Sequence, residues 1–244
     1  MYDPSELIDI LRYSNNAVFL GGAGVSTDSG LPDFRGTGGL YSISDPDGSS
    51  VSDVLSLECL KTDPERFYEF YRSYIFSPFA QPNAAHIALA RLERAAFVRC
   101  VITQNVIGLH QKAGSKEVIE LHGSSHRYYC MRCFEVFDES EIEAVSGVLY
   151  CACGGVVRPD VVLYGEAVKS EDQTAAEEAV YEADTLLIGG TSLETQSASS
   201  LLSCFEGENL IIINTDRTRY DGMASLLINE SIGKVLESAA AELS

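Results

Sequence analysis

Four cysteines stand in two close pairs, Cys130-x2-Cys133 and Cys151-x-Cys153, separated by seventeen residues. Thiolates at that spacing suit a tetrahedral zinc ion. Four sulfur ligands leave no open position for water, so such a site would hold the chain together rather than perform a reaction. Gly154-Gly155 after the tighter pair lets the backbone bend. Cys59, Cys100 and Cys204 lie apart and are expected to pack as small apolar groups. A second chemistry is suggested where apolar runs end in polar residues. "AVFLGG" leads into Gly22-Ala23-Gly24, "FVRCVIT" into Gln104-Asn105, "VIEL" into His122, "DTLLIGG" into Thr191-Ser192, and "NLIII" into Asn214-Thr215-Asp216. An imidazole at such an exit, beside a cleft, is a natural general base, which singles out His122. Of the other histidines, His86 reads as a packed or capped residue of an alanine-rich helix. His110 is suited equally to a backbone or a ligand hydrogen bond, and His126 reads as an incidental surface residue.

The elements that must position these groups follow from periodicity. Apolar residues at helical spacing predict helices over 4–16, 63–76 and 83–95, and a last helix at the end of 222–243. Apolar runs predict strands over 17–22, 97–103, 117–123, 184–192 and 209–216. Residues 23–36 read as a loop or loop-helix, and 37–52, of turn composition, as a mobile loop. Strands alternating with helices indicate an α/β fold: a doubly wound, parallel-sheet, Rossmann-like domain with a small zinc-binding domain and a helical insert. The expected division is 1–41, 83–127 and 157–244 for the Rossmann-like, ligand-binding domain. It assigns 42–82 to a flexible cofactor loop and helical insert, and 128–156 to the zinc-binding insert. Ligands in such folds bind beyond the carboxyl ends of the strands.

The glycine loop is ambiguous alone. Glycines after a strand let backbone N–H groups approach a phosphate. Here Thr27 occupies the third glycine position of GxGxxG, and no second strand ending in an acidic residue follows about twenty residues on. A structural turn and a phosphate loop both remain open. "GLPDFRG" downstream adds Asp33, Phe34 and Arg35, a carboxylate, a flat apolar cover and a cation in one loop.

The chain has 244 residues, 45% of them hydrophobic, enough for one large core with a satellite. Its net charge of −19 argues against direct nucleic-acid binding, which needs clustered Lys and Arg, and is compatible with basic peptide partners. No apolar run is long enough to span a bilayer, and the first residues are not a secretory signal, so a cytoplasmic location and no membrane partner are expected. A monomer is the default.

Together these pieces resemble the sirtuins, NAD-dependent protein lysine deacylases of the bacterial or archaeal type. The matching stretches are "GAGVSTDSGLPDFRG", "TQN" with "GLHQKAG", "ELHGS", the four cysteines, "RPDVVLYGE", "GTSL" and "IIIN", in family order along nearly the whole chain. The resemblance implies that Gly22, Ala23, Gly24 and Thr27 line the NAD pyrophosphate and ribose, with Asp33, Phe34 and Arg35 covering and clamping it. Gln104, Asn105, Val106 and Ile107 would lie at the nicotinamide ribose. Gly190, Thr191, Ser192 and Asn214 would hold the adenosine half, with Thr215 and Ile232 in the same cofactor set. His122 and Asn105 would be catalytic, and Cys130, Cys133, Cys151 and Cys153 would hold zinc. Val162, Leu163, Tyr164, Gly165 and Glu166 would face Leu193, Glu194 and Thr195 across an acetylated lysine peptide added as a strand. In the family's reaction the acyl oxygen attacks C1′ of the nicotinamide ribose and nicotinamide leaves. The base then activates a ribose hydroxyl, and the products are free lysine and O-acyl-ADP-ribose, O-acetyl-ADP-ribose for an acetyl group.

Several positions depart from the family pattern. Ile107 stands where an aspartate contacting the nicotinamide carboxamide is expected. Losing one side of a buried polar contact costs about 1–3 kcal/mol, or roughly one to two orders of magnitude in rate if felt only in the transition state. Gly21 replaces a threonine, and Thr195-Gln196-Ser197-Ala198 replaces Val-x-Pro-Ala. Relatives preferring acidic acyl groups carry Tyr-x-x-Arg in the aromatic helix. Here Tyr68 is followed by Tyr71, with Arg72 one position off, so an uncharged acyl group is expected. The alternatives to a deacetylase are a catalytically impaired NAD- and peptide-binding homologue and a mono-ADP-ribosyltransferase.

Overall fold

A computed structural model describes residues 4–34, 39–43 and 48–244. The chain runs from helix α1 (Ser5–Tyr13) into strand β1 (Ala17–Gly21), then through two 3-10 turns at Ala23–Val25 and Thr27–Ser29. The helical insert follows: a 3-10 turn at Leu40–Ser42, then α2 (Val51–Val54), α3 (Leu57–Thr62) and α4 (Pro64–Tyr74). Next come α5 (Ala84–Arg94), β2 (Cys100–Thr103), α6 (Leu109–Ala113) and β3 (Val118–Glu120). The cysteine-bearing lobe contains β4 (Gly123–Cys130), β5 (Val136–Asp138), α7 (Glu139–Glu143) and β6 (Val157–Val161). The chain closes with α8 (Ser170–Glu182), β7 (Thr185–Gly189), α9 (Gln196–Ser203), β8 (Asn209–Ile213), β9 (Leu226–Ile228) and α10 (Ile232–Leu243).

Among the described residues, six parallel strands form the large sheet in the order β3-β2-β1-β7-β8-β9. The chain steps outward from β1 in one direction, then returns to the other side of it. The order reverses between β1 and β7, which is where doubly wound sheets open a ligand crevice. Alternate residues of β1 serve the two faces. Ala17 and Phe19 join a core formed by α1, α5 and α10, whereas Val18 and Leu20 join one formed by α8 and α9. This two-sided burial explains the unbroken apolar strands.

Several elements were not anticipated from periodicity, among them α2, α3, α6, α8, α9 and β9. β9 is three residues long, too short to show a period. α2 and α3 lie at the end of the expected loop and beyond it, and each starts on a serine cap, Ser50 receiving Asp53 N–H and Ser56 receiving Cys59 N–H.

The helical insert and the cysteine lobe share one apolar core, in which Tyr68, Tyr71, Tyr128, Ile142 and Val157 meet. Each buried phenol finds a partner, as burial requires. Tyr68 Oη donates to the Val157 carbonyl, and Tyr71 Oη lies 3.1 Å from Tyr128 Oη. Arg72 ties α4 to the same lobe by donating to the carbonyls of Gly147 and Ile142 at 2.9 Å each.

The exits of β1 and β7 touch through glycines. Gly190 has φ +62°, and a Cβ there would fall 2.4 Å from Val25 N, whereas Gly30 at φ +81° has nothing within 4 Å. Gly30→Ala should therefore cost only its backbone conformation, about 1 kcal/mol. Gly190→Ala should cost clearly more, because backbone must also move. Thermal unfolding of the two variants beside the parent measures this; equal losses would contradict the contact.

Candidate active site and metal centre

A cavity of about 1160 Å³ opens over the carboxyl ends of β1, β2, β7 and β8. It exceeds the roughly 300–1,000 Å³ usual for small-ligand sites, leaving room for a dinucleotide and part of a second substrate. The structure brings most of the expected residues to its wall. Ala23, Gly24, Thr27, Asp33 and Phe34 line it after β1, and Gln104, Asn105, Val106 and Ile107 after β2. His122 lies between β3 and β4; Gly190, Thr191 and Ser192 follow β7; Asn214 and Thr215 follow β8; Ile232 opens α10. Val162 to Glu166, Glu194 and Thr195 line it as well. Arg35 lies outside the described residues.

Two expected residues are not on the wall. Leu193 is fully buried in the core under α8 and α9, with φ +57°, so its side chain cannot meet a peptide. Gly22 stands behind the wall, where a Cβ would fall 2.7 Å from Thr191 Cβ. Its N–H donates to Gly189 O at 3.2 Å, and that of Gly24 to Gly190 O at 2.8 Å. The glycines thus serve the contact between two strand exits first. Ala23, Gly24 and Thr27 line the cavity beside that contact.

The β2 exit is braced from both sides. Thr191 Oγ1 donates to Gln104 Oε1 at 2.8 Å, and Gln104 Nε2 donates to Thr195 Oγ1 at 2.9 Å. Asn105 Nδ2 donates to Gly22 O at 2.9 Å and to Ser26 Oγ at 3.0 Å. With both amide protons so used, Asn105 presents its acceptor oxygen to a ligand hydroxyl or amide. Ser26 was not anticipated; it lines the cavity and also lies 3.3 Å from His86 Nε2, and His86 Nδ1 is 2.9 Å from Asn83 Oδ1, the cap of α5.

His122 Nδ1 lies 3.2 Å from the Gln104 carbonyl. A carbonyl only accepts, so Nδ1 carries the proton and Nε2 holds the lone pair. Burial pushes the imidazole below its ordinary pKa, outweighing the upward effect of that carbonyl, so it is neutral at neutral pH. A neutral imidazole whose unprotonated Nε2 faces a cavity is what general-base chemistry requires.

The other histidines separate clearly. His86 and His110 lie with ring centroids 4.7 Å apart, and burial pushes them down to about 4 and about 3. Both nitrogens of His110 are buried, and neither has a hydrogen-bond partner among the described protein groups. His126 is not incidental. Its Nε2 lies 2.9 Å from the Ile107 carbonyl and its Nδ1 2.7 Å from Glu139 Oε2, at the start of α7. Burial pulls its pKa down, but these two acceptors outweigh that and raise it. The Ile107 backbone is thereby fixed to the cysteine lobe, while its half-buried side chain gives the cavity an apolar face.

At the rim, the backbone of Tyr164 is engaged by Leu55 O and Leu57 N–H at 3.1 and 3.0 Å. The turn beyond it is held by Glu166, whose carboxylate takes two 2.7 Å bonds from buried Arg158 and one from Leu163 N–H. A peptide strand would therefore meet the exposed backbone from Gly165 onward. Tyr71, Tyr74 and Ile75 line the cavity from α4, whereas Arg72 is turned away to the lobe.

The four cysteine sulfurs lie within 4.8 Å of one another. Ligands of a tetrahedral zinc ion at about 2.3 Å would stand about 3.8 Å apart, so the donor set fits zinc. Arg132 N–H points at Cys130 Sγ from 3.3 Å, as suits a thiolate. A Cβ on Gly155 would fall 2.6 Å from that sulfur, so only glycine fits the knuckle.

A profile described as the Sir2 family matches residues 22–197. An NAD-dependent protein deacetylase of Cutibacterium acnes is 48% identical over 233 residues, covering 96% of both chains. One of Clostridium perfringens is 47% identical over 234 residues, covering 95% of this chain and 96% of the relative. A Sir2 variant solved with deacetylated p53 peptide and 3′-O-acetyl ADP-ribose superposes at TM-score 0.90 and 34% identity, covering 99% of this chain and 98% of that one. A Sir2 complex with p53 peptide and NAD+ superposes at 0.88 with the same identity and coverage.

Metal analysis should find about one zinc per chain. Stripping it with a strong chelator should lower the unfolding temperature, and adding zinc should restore it. A chelated protein with unchanged unfolding would remove the structural role.

Proposed function

The chain belongs to the Sir2 family, and on that premise we propose that it is an NAD-dependent protein lysine deacetylase releasing nicotinamide and O-acetyl-ADP-ribose. The observation that carries this is the neutral His122 with its Nε2 free of the Nδ1 proton, in one cavity with Asn105 and Gln104. NAD supplies the reactive carbon bonded to nicotinamide and the ribose hydroxyls around it. His122 takes a proton from one of those hydroxyls at Nε2. Asn105 offers its oxygen to the ribose, Phe34 covers the ring, and Ala23 and Thr27 meet the pyrophosphate. Thr191, Ser192, Asn214 and Thr215 face the adenosine half. Cys130, Cys133, Cys151 and Cys153 would hold a zinc ion with all four positions filled, tying together the lobe that carries β4 and β6.

The acyl group is an uncharged one. Tyr71, Tyr74 and Ile75 provide an aromatic and aliphatic lining, and Arg72, beside them on α4, is engaged by the cysteine lobe. The acetylated lysine sits in a peptide lying against the backbone from Gly165, with Glu194 and Thr195 opposite. The excess of acidic residues supports protein rather than nucleic-acid partners. A cytoplasmic location is the default reading; no helix among the described residues is long and apolar enough to cross a membrane. A monomer is taken as the default state.

A slowed enzyme that mainly binds NAD and peptide is the second reading, because Ile107 lines the cavity where a hydrogen-bonding carboxylate is the family pattern. Intact geometry at His122 favours turnover. Transfer of ADP-ribose to protein ranks third.

With an acetyl-lysine peptide and NAD, the parent should form O-acetyl-ADP-ribose and His122→Ala should not. Ile107→Asp should raise turnover by about ten- to a hundredfold if the missing contact is felt in the transition state. A silent parent rescued by Ile107→Asp would select the binding reading, and protein-bound ADP-ribose the third. The acid limb of kcat/KM should fall below pH 6.5, since the depressed pKa of His122 keeps the base unprotonated further into acid. A limb above that value would contradict the buried, neutral base.

A further inference from the structure

The Nε2 of His122 is not bare. Ser197 Oγ lies 3.2 Å from it, and since Nδ1 holds the ring proton, the serine hydroxyl is the donor. Ser197 is half-buried, lines the cavity, and sits in the first turn of α9. The same hydroxyl has a second acceptor, Thr195 Oγ1, at 3.4 Å. Thr195 caps α9 and receives Gln104 Nε2 at 2.9 Å. One serine proton serves one acceptor at a time, so the hydroxyl has two rotational positions. In one it covers the base; in the other the base is open and the bond passes to Thr195. The Val-x-Pro-Ala pattern at these positions contains neither hydroxyl.

We propose that Ser197 is a positioning residue: its hydroxyl holds the Nε2 lone pair of His122 toward the cavity in the free enzyme and turns to Thr195 when a ribose hydroxyl takes its place. This rests on His122 being the base of the proposed reaction. No covalent change occurs at Ser197; one hydrogen bond is exchanged for another. The carboxylates on surrounding elements are engaged by other groups. Glu120 of β3 bonds Arg127 and Gln111, Glu166 after β6 bonds Arg158, and Glu177 of α8 accepts from Gln173. Glu194 before α9 lines the same cavity.

A donor to the lone pair favours the neutral ring, so removing it raises the protonation midpoint. The test is an NMR titration of the His122 imidazole in substrate-free parent, Ser197→Ala and Ser197→Thr, with the pH profile of kcat/KM for each. Ser197→Ala should titrate about half to one pH unit higher, with its acid limb moved the same way, and Ser197→Thr should return both toward the parent. An unchanged His122 midpoint in Ser197→Ala, or a shift that Ser197→Thr does not reverse, overturns the proposal. The titration needs no turnover. A parent that forms no product while its midpoints shift as expected would defeat the deacetylase reading and leave the Ser197 contact standing.

Discussion

The site depends on one backbone contact, the bond from Gly24 N–H to Gly190 O between the exits of β1 and β7. A Cβ at either glycine would meet the other's backbone within 3 Å. Because the loops touch, Thr191 reaches Gln104, Asn105 reaches Gly22 and Ser26, and polar residues from three strand ends face one volume. Parallel sheets with two buried faces cannot place polar groups within the strands. They gather them at the exits, and the glycines set how closely those exits approach.

The second constraint is the far wall. Neither insert is large enough to bury an independent core. Packed together through Tyr68, Tyr71, Tyr128 and Ile142, and held by four thiolates, they form one lobe. His126 joins that lobe to the floor of the cavity through the Ile107 carbonyl and Glu139. The cysteine lobe, through His126, thus helps set the position of the backbone that follows Asn105.

What the sequence made legible follows from strength of pattern. Long apolar runs announced β1, β7 and β8, and the cysteine spacing announced the metal site, because both are local. The family motifs then supplied roles that spacing alone left open, above all for the glycine loop, where packing and phosphate binding leave the same trace. Contacts between distant segments were not legible. Nothing near His126 signalled Ile107, and Ser197 was visible only as a departure from a proline, seventy-five residues from the histidine it touches. The serine caps of α2 and α3 were present but lay beside turn-like residues that obscured them.

The paired rings of His86 and His110 have a consequence for the whole molecule. Both are held neutral by burial, near 4 and 3, whereas a solvated imidazole binds its proton near 6.5. Unfolding in mild acid therefore takes up protons at both. The stability these residues share is complete above the unfolded value and drains away as the pH falls from there toward the folded ones. His86 also bonds Ser26, which holds Asn105, so the ground beneath the site is made of groups that acid turns into buried charges. Proton binding and native structure compete here for the same two rings, and that competition adds to the acid sensitivity of the folded protein.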